Sequence, residues 1–301
     1  MVTGDGFLEL AGRGRNGALR WTAAMLVILT LWFGLTYAMG WVLAAGIRLG
    51  HGAGNPPPPV PGSLTGLGRL ADFVLVNLSF LPLLLGLYVA VRLVHRRPFR
   101  TLITAGERVD WALAFRAGAL FLLALASLTA LQAVLMPGAF RAGADPVRLL
   151  LFLPFALVLT PIQAATEELL MRGYAMQGLR RLTARPWAIV AGSSVLFAIL
   201  HGANPEIGQA PVLAFLFYLG FGAVLALVTI RAGRLEPAIG IHAANNLFTV
   251  IVVNPATTAL PSPSLFTYLM PVGGVDLVML LVAGGIAWRL TPAGARGRGS
   301  S

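Results

Sequence analysis

Residues 149–172 read LLLFLPFALVLTPIQAATEELLMR: eighteen residues without a charge, then two glutamates and, four residues past the second, an arginine. A helix of ~20 predominantly apolar residues spans a bilayer. A charge placed near the bilayer centre costs about 2.5 to 17 kcal/mol depending on the method, which makes such residues functional candidates by default. This one stretch therefore predicts both a membrane helix and a polar site carried on it.

The rest of the chain agrees with the first of these. Apolar residues make up 57% of the 301 and charged ones 11%, with a mean hydropathy of +0.81. Soluble domains lie near 45–50% and about 25%. Seven further apolar segments can be marked, giving Trp21–Ile47, Leu70–Val94, Trp111–Met136, Leu149–Leu179, Trp187–Gly202, Val212–Ile230, Leu235–Val253 and Leu265–Leu290. The reading is an all-α polytopic membrane protein of about eight helices, forming one domain over 21–290 with tails 1–20 and 291–301. The first segment follows Arg13, Arg15 and Arg20 but is far longer than the 7–15 apolar residues of a signal peptide, so it is read as a retained helix.

The net charge of +11 comes entirely from arginine, and in this setting it reports on membrane orientation rather than on nucleic acid. Seventeen of the 22 arginines fall at one side of the alternating segments, while Arg48, Arg69, Arg141 and Arg148 fall at the other. Cytoplasmic loops retain positive charge, so both termini are expected in the cytoplasm. The proline-rich stretch Gly50–Gly68 is expected to be an extended external loop. There is no cysteine, which excludes disulfides, thiolate zinc sites and cysteine-protease chemistry.

Ionisable or amide groups recur within three of the segments. Glu167 and Glu168 lie on the fourth, His201 ends the fifth, and His242 and Asn246 lie on the seventh. Glu168 and Arg172 have the spacing of a facing ion pair. Glu167 is turned about 100° away from Glu168, so it is expected to lack a local partner and to serve a different one. His242 and Asn246, also four apart, share a helix face. Counted from the flanking arginines at ~1.5 Å per residue, all four of Glu167, His201, His242 and Asn246 can reach one layer of the membrane.

Such a set can do two things. Glu167 with His201 can deprotonate a water while His242 and Asn246 donate to an oxyanion. Alternatively Glu167, His201 and His242 can ligate zinc, although the helical His-Glu-x-x-His pattern is missing. Each polar residue also has the ordinary reading of interhelical glue. Two other functions suit mid-membrane carboxylates: a non-catalytic immunity or scaffold protein that binds a peptide, and an ion-coupled transporter.

Glu167-Glu168-x-x-x-Arg172, Phe197-x-x-x-His201 and His242-x-x-x-Asn246, in this order, resemble the motifs of the CPBP intramembrane proteases. That family includes the type II CAAX prenyl endopeptidases and bacterial relatives linked to bacteriocin processing and immunity. The resemblance covers about 149–253. It implies eight helices around a polar cavity open to the cytoplasmic side and the lipid, and an integral protein of a prokaryotic cell membrane. By the same resemblance Glu167 and His201 activate water, His242 and Asn246 form the oxyanion site, and Glu168 and Arg172 support them. The substrate implied is a membrane-associated or lipidated peptide; the family's frequent metalloprotease label keeps zinc as the alternative cofactor.

Overall fold

The computed structural model describes residues 5–51, 68–143 and 145–294. It is an all-α membrane protein of eight long helices: α1 (Ala18–His51), α2 (Arg69–Val94), α3 (Trp111–Leu135), α4 (Pro146–Leu182), α5 (Pro186–Leu200), α6 (Pro211–Ala232), α7 (Glu236–Ile251) and α8 (Gly274–Leu290). Five of them are long and apolar enough to cross a membrane, and α5 is a shorter apolar helix. Large apolar side chains such as Phe33, Phe115, Leu151 and Leu281 are more than half exposed, a surface that lipid satisfies and water does not. The proline-rich residues 52–67 lie outside the described part, as does most of the C-terminal tail.

The helix boundaries follow from local chemistry. Proline opens α4, α5 and α6, where its missing N–H costs nothing. The Asp110 side chain caps α3 by accepting from the Leu113 N–H, and Asp145 caps α4 by accepting from that of Val147, both at 2.9 Å. Gly233, at a φ of 64°, ends α6 in the left-handed conformation that glycine adopts without strain.

Helix α7 is the hub: it packs on α3, α4 and α6, while α5 and α8 close on α6 from the other side. Two glycines set its distance from α3. A Cβ on Gly118 would stand 2.6 Å from the Gly240 carbonyl oxygen, and one on Gly240 would run into the Ala114 carbonyl. The two backbones are therefore in direct contact, as small-residue interfaces between membrane helices allow.

Three expectations need correction. Leu265–Gly273 is not helix: Phe266–Tyr268 is a strand, and α8 begins only at Gly274, after Pro271 and Gly273. With Phe140–Ala142 as β1 and Val253–Pro255 as β2, this strand, β3, forms a sheet ordered β1-β3-β2, antiparallel to β1 and parallel to β2. The N-terminal stretch is no loose tail, since Asp5–Leu8 and Glu9–Arg13 are short helices with Phe7, Leu8, Leu10 and Ala11 buried. Gln177 holds them by donating to the carbonyls of Phe7 and Thr101 and accepting from buried Arg97 at 2.6 Å. Finally, α4 runs as regular helix through Pro154 and Pro161 and turns irregular at Leu169–Ala175, a wide π-turn that carries Arg172. Arg172 is thus an interior side chain rather than one of the loop arginines.

Candidate active site

The π-turn follows immediately on Glu168, and such turns are common at functional sites. Glu168 and Arg172 are both fully buried, with Arg172 Nη1 2.7 Å from Glu168 Oε1. Arg172 Nη2 donates to the Gly222 carbonyl at 3.0 Å, and the guanidinium lies 4.6 Å from the centre of the Phe197 ring. A buried charge survives only when paired and hydrogen-bonded; a carbonyl and a ring face support this pair, although Glu168 Oε2 and Arg172 Nε have no hydrogen-bond partner.

The same Glu168 oxygen is 2.8 Å from His242 Nδ1. A carboxylate ion-paired with arginine is an acceptor, so that nitrogen carries the proton and Nε2 is turned to the cavity. On α5, the chain ends its helix at Leu200 and His201 Nδ1 stands 2.7 Å from the carbonyl of Phe197, which again assigns the proton to Nδ1. The His201 ring is stacked on Tyr218, centroids 4.4 Å apart, and Tyr218 is fixed through its hydroxyl by Asn204 at 2.9 Å.

Both free imidazole nitrogens face one atom. Glu167 Oε2 lies 3.6 Å from His242 Nε2 and 3.9 Å from His201 Nε2, and it is buried without a hydrogen-bond partner. Its other oxygen accepts from Gln163 Nε2 at 2.6 Å, and Gln163 Oε1 accepts from Asn246 Nδ2 at 3.0 Å. Asn246 Oδ1 in turn accepts from Asn245 at 3.1 Å. The amide orientation is fixed by this chain, because a carboxylate at one end can only accept.

The structure thus brings all six sequence-predicted residues together, with two changes. Glu167 has a local partner, Gln163, one helical turn earlier. The two carboxylates do serve a common partner: the 100° between them is bridged by an imidazole, whose two nitrogens face opposite ways. Gln163, Tyr218 and Asn204 were not singled out from sequence. The four-residue spacing of Gln163 and Glu167 is the signal that marks the first of them; a tyrosine and an asparagine in apolar surroundings carry none.

These groups line a cavity of about 370 Å³ with mostly apolar walls. Every loop that lines it, from Phe140 through Asn204, Val253 and Tyr268, belongs to the arginine-poor ends of the helices. The implied opening on the arginine-rich, cytoplasmic side is therefore not what the arginine alternation and the cavity give when taken together.

Three acceptor atoms around one point suit either a water, which supplies protons, or a cation. The spacing does not suit a metal as the side chains stand: no group of three or more His, Asp or Glu among the described residues is arranged to hold one.

A family profile described as type II CAAX prenyl endopeptidase Rce1-like matches residues 147–248, the part of the chain that carries the whole site. An uncharacterised protein of Bacillus subtilis (strain 168), YyaK, is 36% identical over 201 residues, 66% of this chain and 67% of that relative. The chain belongs to the Rce1-like branch of the CPBP proteases. No solved structure shows a significant match to it. An Rce1-like protease works in a lipid bilayer on a peptide, and the apolar belt and the walled cavity suit those surroundings.

Proposed function

We propose that this protein is an intramembrane endopeptidase that hydrolyses a peptide bond of a membrane-associated or lipidated peptide with a water held by Glu167. The observation that carries the reading is the convergence of His201 Nε2 and His242 Nε2 on Glu167 Oε2 at 3.9 and 3.6 Å. Both gaps are too long for direct bonds, and a water drawn between them as the cavity fills would meet all three acceptors.

Glu167 takes a proton from the water as its oxygen attacks the scissile carbonyl carbon, and His201 Nε2 accepts from the second O–H to orient it. The carbonyl oxygen becomes an oxyanion, to which Asn246 Nδ2 donates. His242, its Nδ1 proton held by Glu168, receives the proton from Glu167 on Nε2 and becomes a second donor. Collapse of the tetrahedral intermediate breaks the C–N bond, and that proton passes to the leaving amine. Glu168 has the part that an orienting carboxylate plays behind a catalytic histidine, and Arg172 holds it from the other side through the ion pair.

The test is cleavage of a membrane peptide by the purified protein in liposomes. Glu167→Gln and His201→Ala are expected to lower the rate by about 10³-fold or more with membrane insertion intact; unchanged cleavage in either contradicts the mechanism. One observation favours zinc as a second reading, namely three acceptors with no donor among them. Under the metal-free reading EDTA leaves the rate unchanged and the protein purifies without stoichiometric zinc. Loss of activity in EDTA, restored by zinc, gives the activation of water to a metal.

A further inference from the structure

A segment that crosses lipid keeps its backbone N–H and C=O groups paired inside a helix, because hydrocarbon offers them no partner. A peptide bond in such a segment is open to attack only once the turns around it have unwound. In a mostly apolar cavity the freed groups then need partners from the protein.

Helix α7 presents such partners. His242, Asn245, Asn246 and Thr249 follow one another at helical spacing on one face, and all four line the cavity. His242 and Asn246 have parts in the proposed reaction, and the Thr249 hydroxyl donates to the Asn245 carbonyl of its own helix at 3.0 Å. The Asn245 side chain has no part in that reaction, yet it ends the hydrogen-bond chain that starts at Glu167. The carboxylate can only accept, so Gln163 turns its nitrogen to Glu167 and its oxygen to Asn246. Asn246 in turn presents its oxygen to the Asn245 nitrogen. The direction set at the carboxylate therefore leaves the Asn245 oxygen at the open end. Among the described residues nothing donates to this oxygen, and it keeps accessible surface in the cavity.

A free amide oxygen in apolar surroundings is an acceptor for a peptide N–H. Asn245 adjoins Asn246, and successive units of an extended chain are ~3.4 Å apart, so a backbone whose scissile carbonyl meets Asn246 brings a neighbouring peptide unit to Asn245. We propose that Asn245 holds the unwound backbone of the substrate, its Oδ1 accepting the N–H of a peptide unit that flanks the scissile bond. The proposal rests on the endopeptidase reading and adds the form of the substrate to it: an extended segment held through its backbone, with proline excluded at the residue that supplies this N–H.

The probes are blocked apolar peptides with a central difluoroketone, which adds water to give a gem-diol and so fixes the scissile position. In two further peptides the amide on one or the other side of the ketone is replaced by an ester, which removes the N–H and keeps every side chain. Binding to the full-length protein in phosphatidylcholine nanodiscs is read by fluorescence anisotropy against empty nanodiscs. One of the two esters is expected to bind about tenfold more weakly than the parent, because it leaves the Asn245 oxygen unpaired. In Asn245→Leu the parent is expected to bind as weakly as that ester, and the ester to have no further effect. Equal binding of the parent and both esters overturns the proposal, as does a parent that does not bind. So does an ester effect that persists undiminished in an Asn245→Leu protein of unaltered melting temperature; where that variant does not insert, the series on the unaltered protein decides alone. An ester effect that depends on Asn245, in a protein that binds the difluoroketone no more tightly than the plain amide and cleaves no amide peptide, contradicts the endopeptidase reading alone. Cleavage with no ester effect contradicts this inference alone.

Discussion

Adjacent in sequence, Glu167 and Glu168 differ in what saturates them. Each has one buried oxygen without a hydrogen-bond partner, but the other oxygen of Glu168 is shared between Arg172 and His242, whereas that of Glu167 accepts only from a neutral amide. That difference separates the proposed supporting carboxylate from the proposed base. Gln163 tethers the base and, through Asn246, the proposed oxyanion donor, so Gln163→Leu is expected to lower the cleavage rate by about 10²-fold while leaving the melting temperature in detergent within a few degrees. A Gln163→Leu protein with full activity would remove Gln163 from the site. The Glu168–Arg172 pair and the shared face of His242 and Asn246 were legible in the sequence, because four-residue spacing on a helix fixes them. The contacts of Glu167 were not. They depend on where α5 and α7 stand relative to α4, which no single segment encodes.

Helix α7 places two site residues, and its depth and rotation are set by the close approach of Gly240 to α3. Gly240→Ala forces the two backbones apart. It is expected to destabilise the fold by about 1–3 kcal/mol, as overpacking does, and to reduce cleavage by shifting His242 and Asn246 together. Thermal unfolding and activity measured on the same preparation check both effects; an unchanged melting temperature would show that α3 yields without cost. All eight helices were legible from apolar runs, since each run is long enough to stand out from the polar loops that flank it. The sheet was not, because its strands are three residues each and come from distant points of the chain. The buried N-terminal helices were hidden for a similar reason: Phe7, Leu8 and Leu10 form too short an apolar cluster to distinguish docking from a tail.

Across the whole molecule most of the arginines occupy one end of the bundle and the cavity reaches the other. By the positive-inside rule the proposed substrate is expected to enter from the external half of the membrane. The chain lacks cysteine, so single replacements report its topology directly. Ala256→Cys, exposed at the cavity end, is expected to react with a membrane-impermeant maleimide on intact spheroplasts, and Ala184→Cys, exposed at the arginine-rich end, only after permeabilisation. The reverse pattern would place the cavity on the cytoplasmic side. The most direct measurement of the central claim compares, by mass spectrometry, the membrane peptides of cells that express the wild-type protein with those of cells that express Glu167→Gln at equal level. The account predicts at least one apolar peptide that is present with the wild type and replaced by its uncut precursor with Glu167→Gln. Identical peptide populations in the two would contradict it.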